Sequence, residues 1–516
     1  MPNRSTDALF QLVKSLEKSE KRNFKLYVKR NSGAEELKIV QLFDALDKMA
    51  EYDEVVLLKN KSIKKQQLSN IKAHLYKQIL SSLRLLDQEN VDIQLHEQMD
   101  FARLLYNKGL YLQSLKILEK MKDLARANNQ VTYLLHILFF EKKIEALHIT
   151  RSMQDRADRL TTEVNQVNNR LGLISQLSNL SLLLYSWYIR HGHARNKKDA
   201  EDVQQFMEDH LPKDADLADG FYEKLYLYQT YCWYFFVRQD FLMYYRYTRK
   251  WVDLFEKESF MIEVETAHYI KGMHNLLGAH FDLQNYEKFN EDLKVFERFS
   301  HSKIVKQNDN NKIQTFVYLH ISKINKHFME GTFSEGLKLV PYIEEKLNEY
   351  ELYLDRHRIL VFYYKIASLY FGAADYETAI EYLNKIINLK VDLRTDLQCY
   401  SRLLHLIAHY ELGNFQLLEY LIKSVYRFMS KMENLSVVEE EIFKFLRASF
   451  RIPPKKLQPE FEKLLDKLRQ QEKNQFETRA FVYLDIISWL ESKVNNIPVQ
   501  DIIREKFINN SKRKAI

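Results

Sequence analysis

Apolar residues recur at spacings of three and four along most of this chain, and short polar breaks separate the apolar stretches at near-regular intervals. The pattern is clearest from Ile359 to Met429. There, ILVFYYKIASLYFGAADYETAIEYLNKIINL and CYSRLLHLIAHYELGNFQLLEYLIKSVYRFM each read as a helical hairpin. Ala374, Asp375 and Tyr376 in the first turn correspond to Gly413, Asn414 and Phe415 in the second, a shift of about forty residues, as a helical repeat requires.

The same pattern extends back to about Leu95. Turns are expected at Gly109 to Tyr111, at Gly192, at Gln239 to Phe241, at Asn285 with Tyr286, and at Gly331 to Phe333, with a poorly marked pair from Val131 to Gly172. Gly109, Gly192, Gly331 and Gly413 all fall at turns, where glycine is tolerated, rather than inside helices, where it costs stability. Residues 1–90 show no repeat and read as a helical unit of their own. It has a helix from Asp7 to Lys29, a break at Gly33, a helix through LKIVQLFDALDKM, and a long helix from Lys65 to Leu86 with Leu68, Ile71, Leu75 and Ile79 on one stripe. Residues 91–434 are the hairpins. Residues 435–516 read as a helical cap, with a helix through VVEEEIFKFLRASF, a break at Pro453 and Pro454, helices over 459–472 and 475–494, and a short, loose basic tail bearing Lys506, Lys512, Arg513 and Lys514.

Composition agrees with an all-α chain: only 11 Gly and 7 Pro occur in 516 residues, so helix breakers are scarce. With 46% hydrophobic and 28% charged residues the chain is globular, and a net charge of +7 is too small to imply a nucleic-acid or membrane preference by itself. Cys232 and Cys399 lack the spacing of a metal site or a disulfide framework, which points to free thiols in a reducing compartment. The first apolar run ends at Lys14, and Leu180 to Ile189 is about half a membrane-spanning length and interrupted by serines. A cytoplasmic protein with no membrane partner is the expectation.

In these turns and spacings the chain resembles the tetratricopeptide repeat (TPR) family. Counting a repeat from Leu360, Tyr363, Ile366, Ala367 and Tyr370 match its first helix, Asp375 and Tyr376 its turn, and Ala379, Leu383 and Ile386 its second helix. Gly331, Phe333, Gly336 and Val340 align in the repeat near Val317, and a further match begins near Leu95. Neighbouring matches are spaced by more than the family's roughly 34 residues, so longer helices are expected, and Leu406 stands where the family has a small residue. The resemblance, over roughly 95–430, implies an α-solenoid whose first helices line a concave face. Gln229, Trp233, His274, Asn325, Tyr364 and Ser368 would point into it and grip a protein or peptide segment.

Little else suggests chemistry. His405 and His409 have the spacing of a zinc pair, but Leu406 stands where a zinc-protease motif needs glutamate. His268, His274 and His280 are spread around their helix, and Glu439 and Glu440 read as solvated surface. No phosphate-binding glycine loop or nucleophile elbow is present, so no catalytic residue, cofactor or metal is assigned. The tyrosine- and tryptophan-rich stretch over 225–251 is either packing between hairpins or groove lining. Lys59, Lys61, Lys64, Lys65, Lys72, Lys77 and Arg84 lie between Val55 and Leu86 with no acid among them, and Lys64, Lys65, Lys72 and Lys77 are the candidate phosphate contacts. Two functions follow: a non-catalytic adaptor binding a protein segment in the concave face, or a regulator whose basic N-terminal helices contact nucleic acid while the repeats sense a ligand.

Overall fold

The computed structural model describes residues 7–30, 34–59, 65–148, 153–351, 353–389, 395–432, 435–449, 452–453, 456–472, 474, 476–477 and 485–514. The protein is all-α, with no strand among the described residues. It divides into two compact units, Met1–Val167 and Asn168–Ile516.

The first unit contains α1 (Ala8–Ser15), α2 (Lys18–Arg30), α3 (Ala34–Lys48), α4 (Glu54–Lys59), α5 (Lys65–Leu86), α6 (Val91–Asn107), α7 (Tyr111–Ala127), α8 (Val131–His148) and the start of α9 (Met153–His191). The single helix expected from Asp7 to Lys29 is two. The backbone extends at buried Leu16, and Glu20 reaches back to accept from the Glu17 N–H at 2.7 Å, which starts α2 afresh. Phe24, Leu42, Phe43, Leu75 and Ile79 form the core of this helical group. Gly172, where a hairpin was expected to end, lies inside α9. A lone glycine costs a helix about 1 kcal/mol, and buried Val167, Ile174 and Leu177 keep the apolar stripe continuous across it. Gly33, Lys61, Lys64, Pro454 and the first part of the helix expected over 475–494 lie outside the described residues.

The second unit continues with α10 (Lys197–His210), α11 (Phe221–Val237), α12 (Phe241–Lys257), α13 (Met261–Val264), α14 (Thr266–Asp282), α15 (Tyr286–Ser300), α16 (Lys303–Lys306), α17 (Asp309–Glu330), α18 (Phe333–Gly336) and α19 (Val340–Glu349). Then come α20 (Arg356–Gly372), α21 (Tyr376–Ile387), α22 (Thr395–Glu411), α23 (Phe415–Lys431), α24 (Val437–Ser449), α25 (Leu457–Gln471), α26 (Ile486–Asn495) and α27 (Val499–Lys514). Sequential helices pair, α11 with α12, α14 with α15 and α20 with α21, and each pair also packs on the next, α12 on α14 and α21 on α22.

One turn geometry recurs. At Ala374 the N–H donates to the Phe371 carbonyl at 3.0 Å and the next N–H, of Asp375, donates to the Tyr370 carbonyl at 2.9 Å, closing the last turn of α20. The same two bonds close the turns at Gly109, Asn129, Gln239, Gln284 and Gly413. All six residues sit at positive φ. Asp240 and Asp375 then cap the following helix, accepting from the Met243 and Thr378 N–H groups. Glycine at two of these turns thus marks a conformational demand that alanine and glutamine meet elsewhere under strain.

Two surface readings change. Glu439 is buried, not solvated: it accepts from the N–H and hydroxyl of Ser436 and starts α24 as a capping box. The C-terminal stretch is not a loose tail but helix α27, whose Lys506 pairs with Glu491 at 2.6 Å and donates to the Ser488 hydroxyl at 2.9 Å.

Because a left-handed residue other than glycine costs about 1–2 kcal/mol, Ala374→Gly should stabilise the chain. After the added flexibility of glycine in the unfolded state, a net gain of about 0.5–1 kcal/mol is expected in urea unfolding. A loss would show that the turn is not strained.

Candidate binding site

The first helices of the C-terminal pairs are apolar around much of their circumference, because each meets its own partner on one side and a neighbouring pair on another. The remaining stripe of each helix faces a common chamber of about 900 Å³. From α14 it receives Lys271, His274, Asn275, Gly278 and Asp282, at steps of three and four that keep them on one face. From α17 come Tyr318, Ile321, Asn325 and Phe328, and from α20 Arg358, Val361, Tyr364, Lys365 and Ser368. Helices α9 and α11 add Tyr185, Tyr188, Trp233 and Phe236.

Five of the six residues expected on a concave face, Trp233, His274, Asn325, Tyr364 and Ser368, line this chamber. Gln229 does not. It is buried one turn before Trp233, with its amide nitrogen 3.0 Å from His268 Nδ1. The aromatic stretch divides: Trp233, Phe236 and Tyr244 reach the chamber, whereas Tyr231, Phe235 and Tyr247 stack on one another between α11 and α12.

Helix α27 forms a further wall. Ile503, Lys506, Phe507 and Asn510 line the chamber, and the Phe507 ring meets Tyr286 edge-on at 4.7 Å. The helix is anchored where α17 ends: Arg504 Nη1 donates to the Glu330 carbonyl at 3.2 Å, and the Ser334 hydroxyl donates to Gln500 at 3.0 Å. A Cβ on Gly331 would lie 2.4 Å from the Arg504 backbone nitrogen, so this approach requires glycine.

The chamber is electrostatically unusual. Lys365 donates to Asn325 Oδ1 at 2.6 Å and lies against the Phe281 and Phe328 rings. Burial lowers its pKa to about 8 although Asp282 favours its charge, and burial raises Asp282 to about 7 against the pull of Lys365. Lys271 lies 5.7 Å from the Trp233 ring and 5.1 Å from that of Tyr318, and the Arg358 guanidinium lies 5.9 Å from the Tyr318 ring. Burial raises the Tyr318 pKa, but the charges and hydrogen bonds of Lys271 and Arg358 outweigh it and leave the phenol below its ordinary range. His274 stacks on Tyr318 at 4.1 Å. Burial, and then Lys271, Lys365 and Arg358, hold it neutral well below the usual histidine range, and its Nδ1 is buried without a hydrogen-bond partner.

The helix sequences do contain the signal for Lys271, Arg358 and Lys365, which stand three, six and one residues from His274, Tyr364 and Tyr364. As isolated charges among apolar residues they read as surface.

In the N-terminal unit the candidate phosphate contacts do not form one face. Lys72 is engaged by Asp7 and by the Tyr52 hydroxyl at 2.9 Å. Burial opposes its charge, but these two bonds prevail and raise its pKa. Lys65 and Lys77 are exposed, and Lys64 is outside the described residues. A basic stripe that the α5 lysines had overshadowed lies on α2, where Lys18, Arg22, Lys25 and Lys29 surround exposed Leu26. Lys25 pairs with Asp44 at 2.6 Å.

His405 and His409 are adjacent, with ring centroids 4.4 Å apart, but among the described residues no third His, Cys, Asp or Glu completes a metal-holding set. Cys232 and Cys399 are buried, and burial pushes the Cys232 thiol well above its usual pKa. No described helix is long and apolar enough to cross a membrane. A comparison with protein-family models finds none that matches the chain, and one with curated proteins finds no match either.

Burial, then His409 and Arg402, lower His405 to about 4 from 6.5. The unfolded chain takes up this proton first, so the linked stability is whole above pH 6.5 and is lost as pH falls towards 4. Between about pH 7 and pH 5, His405→Gln should lose roughly 2 kcal/mol less stability than the wild-type chain. Equal losses in paired urea titrations would mean that His405 is protonated in the folded protein.

Proposed function

We propose that this chain is a non-catalytic binding protein, a TPR-like scaffold or adaptor acting in the cytoplasm, whose chamber takes a segment of a partner protein or peptide. The observation that carries this reading is the convergence of α11, α14, α17 and α20 on one chamber of about 900 Å³, walled by rings and fixed polar groups. That volume suits a ligand site or a few residues of an extended chain. The six-fold recurrence of one turn supports the repeat reading, and the two buried thiols suit a reducing compartment. Rigid aromatic side chains such as Trp233 supply large contact areas at small entropic cost, as recognition anchors do.

The α2 stripe keeps the regulator as a second reading. Lys18, Arg22 and Lys29 are exposed and make no ion pair with a described carboxylate, a surface suited to phosphates.

The test is capture from native lysate by three full-length proteins: wild type, Trp233→Ala with Asn325→Ala, and Lys18→Glu with Arg22→Glu. Loss of a chamber anchor should weaken retention of a specific polypeptide by about 2 kcal/mol, roughly thirtyfold, with thermal unfolding still cooperative. The α2 variant and nuclease treatment should leave it unchanged. Retention that survives the chamber variant but disappears with nuclease, or in the α2 variant, would replace the adaptor with the nucleic-acid regulator.

A further inference from the structure

Two asparagines on the chamber wall carry hydrogen-bonding capacity that the folded chain does not use. Asn275 on α14 and Asn325 on α17 are 5% and 7% exposed, and both line the chamber. The Asn275 carboxamide has no hydrogen-bond partner among the described residues. Asn325 uses its oxygen alone, accepting from Lys365 at 2.6 Å. An ammonium group can only donate, so this bond fixes the orientation of the amide and leaves its NH2 group as the side without an acceptor among the described residues. Amides so nearly enclosed forgo most of their hydration, and a chain that leaves them unpaired there holds them ready for a group that enters the chamber.

The register of the helices sets the spacing of these amides. His274 stacks on Tyr318 at 4.1 Å, and the Arg358 guanidinium lies 5.9 Å from the same ring. Seven residues on, at 281, 325 and 365, Lys365 meets Asn325 and lies 5.9 Å from the Phe281 ring. Helices α14, α17 and α20 therefore run parallel and in step. Asn275 adjoins the first level and Asn325 belongs to the second, so about 9 Å of helical rise separates them, close to three residues of extended chain. The wall between them is bare. Gly278 follows Asn275 by one turn on the same face, and a Cβ there would find only the Tyr244 hydroxyl, at 4.0 Å. Trp251 and Phe333 press against Gly272 and Gly372, but no such packing accounts for Gly278, although glycine weakens a helix relative to alanine.

We propose that the wall from Asn275 past Gly278 to Asn325 is a main-chain subsite, which holds the backbone of an extended peptide segment. This rests on the binding reading above and adds how the segment is gripped. Asn275 offers a donor and an acceptor, the complement of the N–H and C=O that each residue of a polypeptide presents. Asn325 offers donors only and takes a carbonyl further along the segment. Gly278 lets the segment's main chain approach α14 between the two. The segment has to be extended, because in a helix the same N–H and C=O groups are already paired within the ligand. A grip on the main chain is indifferent to sequence, so selectivity is left to the side chains that meet rings such as Trp233 and Phe236.

The experiment selects linear peptides from a random displayed library on the full-length protein. The tightest binder is then titrated calorimetrically in its plain form and with each backbone nitrogen methylated in turn, which removes one donor and leaves every side chain in place. Methylation at a central position should weaken binding about tenfold. Asn275→Ala should weaken the plain peptide by a similar factor and the methylated peptide little further, because both changes remove the same bond. Gly278→Ala should raise the midpoint of urea unfolding, since alanine favours the helix, and yet weaken the plain peptide about tenfold. Damage to the fold does not produce that combination. A selected peptide that tolerates methylation at every position, or that binds both variants as tightly as the wild type, overturns the main-chain subsite and leaves the binding reading standing. A library that yields no binder overturns both.

Discussion

A two-helix hairpin cannot cover both of its apolar faces, and the C-terminal unit is built under that constraint. Each pair buries one side of its first helix internally and offers the rest to the next pair, so Leu276, Phe289, Ile324, Leu360 and Leu383 belong to one continuous core although they come from successive pairs. Cohesion depends on how reproducibly one helix folds back on the next. The same two backbone bonds at Gln239, Gln284, Ala374 and Gly413 enforce that return with a residue in the left-handed region. Three of those four residues are not glycine, so the turn is imposed by packing on both sides rather than by local preference.

The chamber follows from the same arrangement. A helix flanked by neighbours on two sides keeps one stripe free, and side chains at steps of three and four along α14, α17 and α20 occupy it. Long stems let Lys271 and Lys365 run along aromatic walls while their ammonium groups meet amides, rings or the phenol of Tyr318. Helix α27 then lies against the end of α17, so a segment nearly 170 residues later in the chain supplies part of the wall, including Lys506 and Phe507. Gly331 makes that approach possible, since its lack of a side chain admits the backbone of Arg504.

Helices and turns were legible in the sequence because they depend on local periodicity and on a few residues tolerant of positive φ. Trp233, His274, Asn325, Tyr364 and Ser368 were legible for a related reason: repeat registration assigns a face without knowing what lies opposite. Gln229 failed that inference because an offset of one helical turn is enough to exchange the chamber for His268. Lys72 and Glu439 failed it because the partners that bury them, Asp7 in the first case and a capping interaction in the second, depend on chain geometry rather than on the charge pattern. Lys271, Arg358 and Lys365 were hidden most completely. A charge in an apolar helix is ordinarily solvent-facing, and only the packing of α14, α17 and α20 on one another brings these three to the chamber wall.

Cations on that wall oppose folding unless something offsets them. Burying cations carries a penalty of several kcal/mol per ion after relaxation, and leucine or methionine at the same positions would fill the space without it. The protein softens the penalty rather than removing it. Lys365 and Asp282 have pKa values of about 8 and about 7, so each can shed its charge near neutrality, while Lys271 leans on the negative faces of two rings. Arg358 has no such recourse, since a guanidinium does not deprotonate in proteins. It stays charged in the first turn of α20, 3.7 Å from Asp355 and with 29% of its side chain exposed. Each of these charges is thus met where it stands, Lys365 by an amide with Asp282 beside it, Lys271 by two rings and Arg358 by the carboxylate of Asp355.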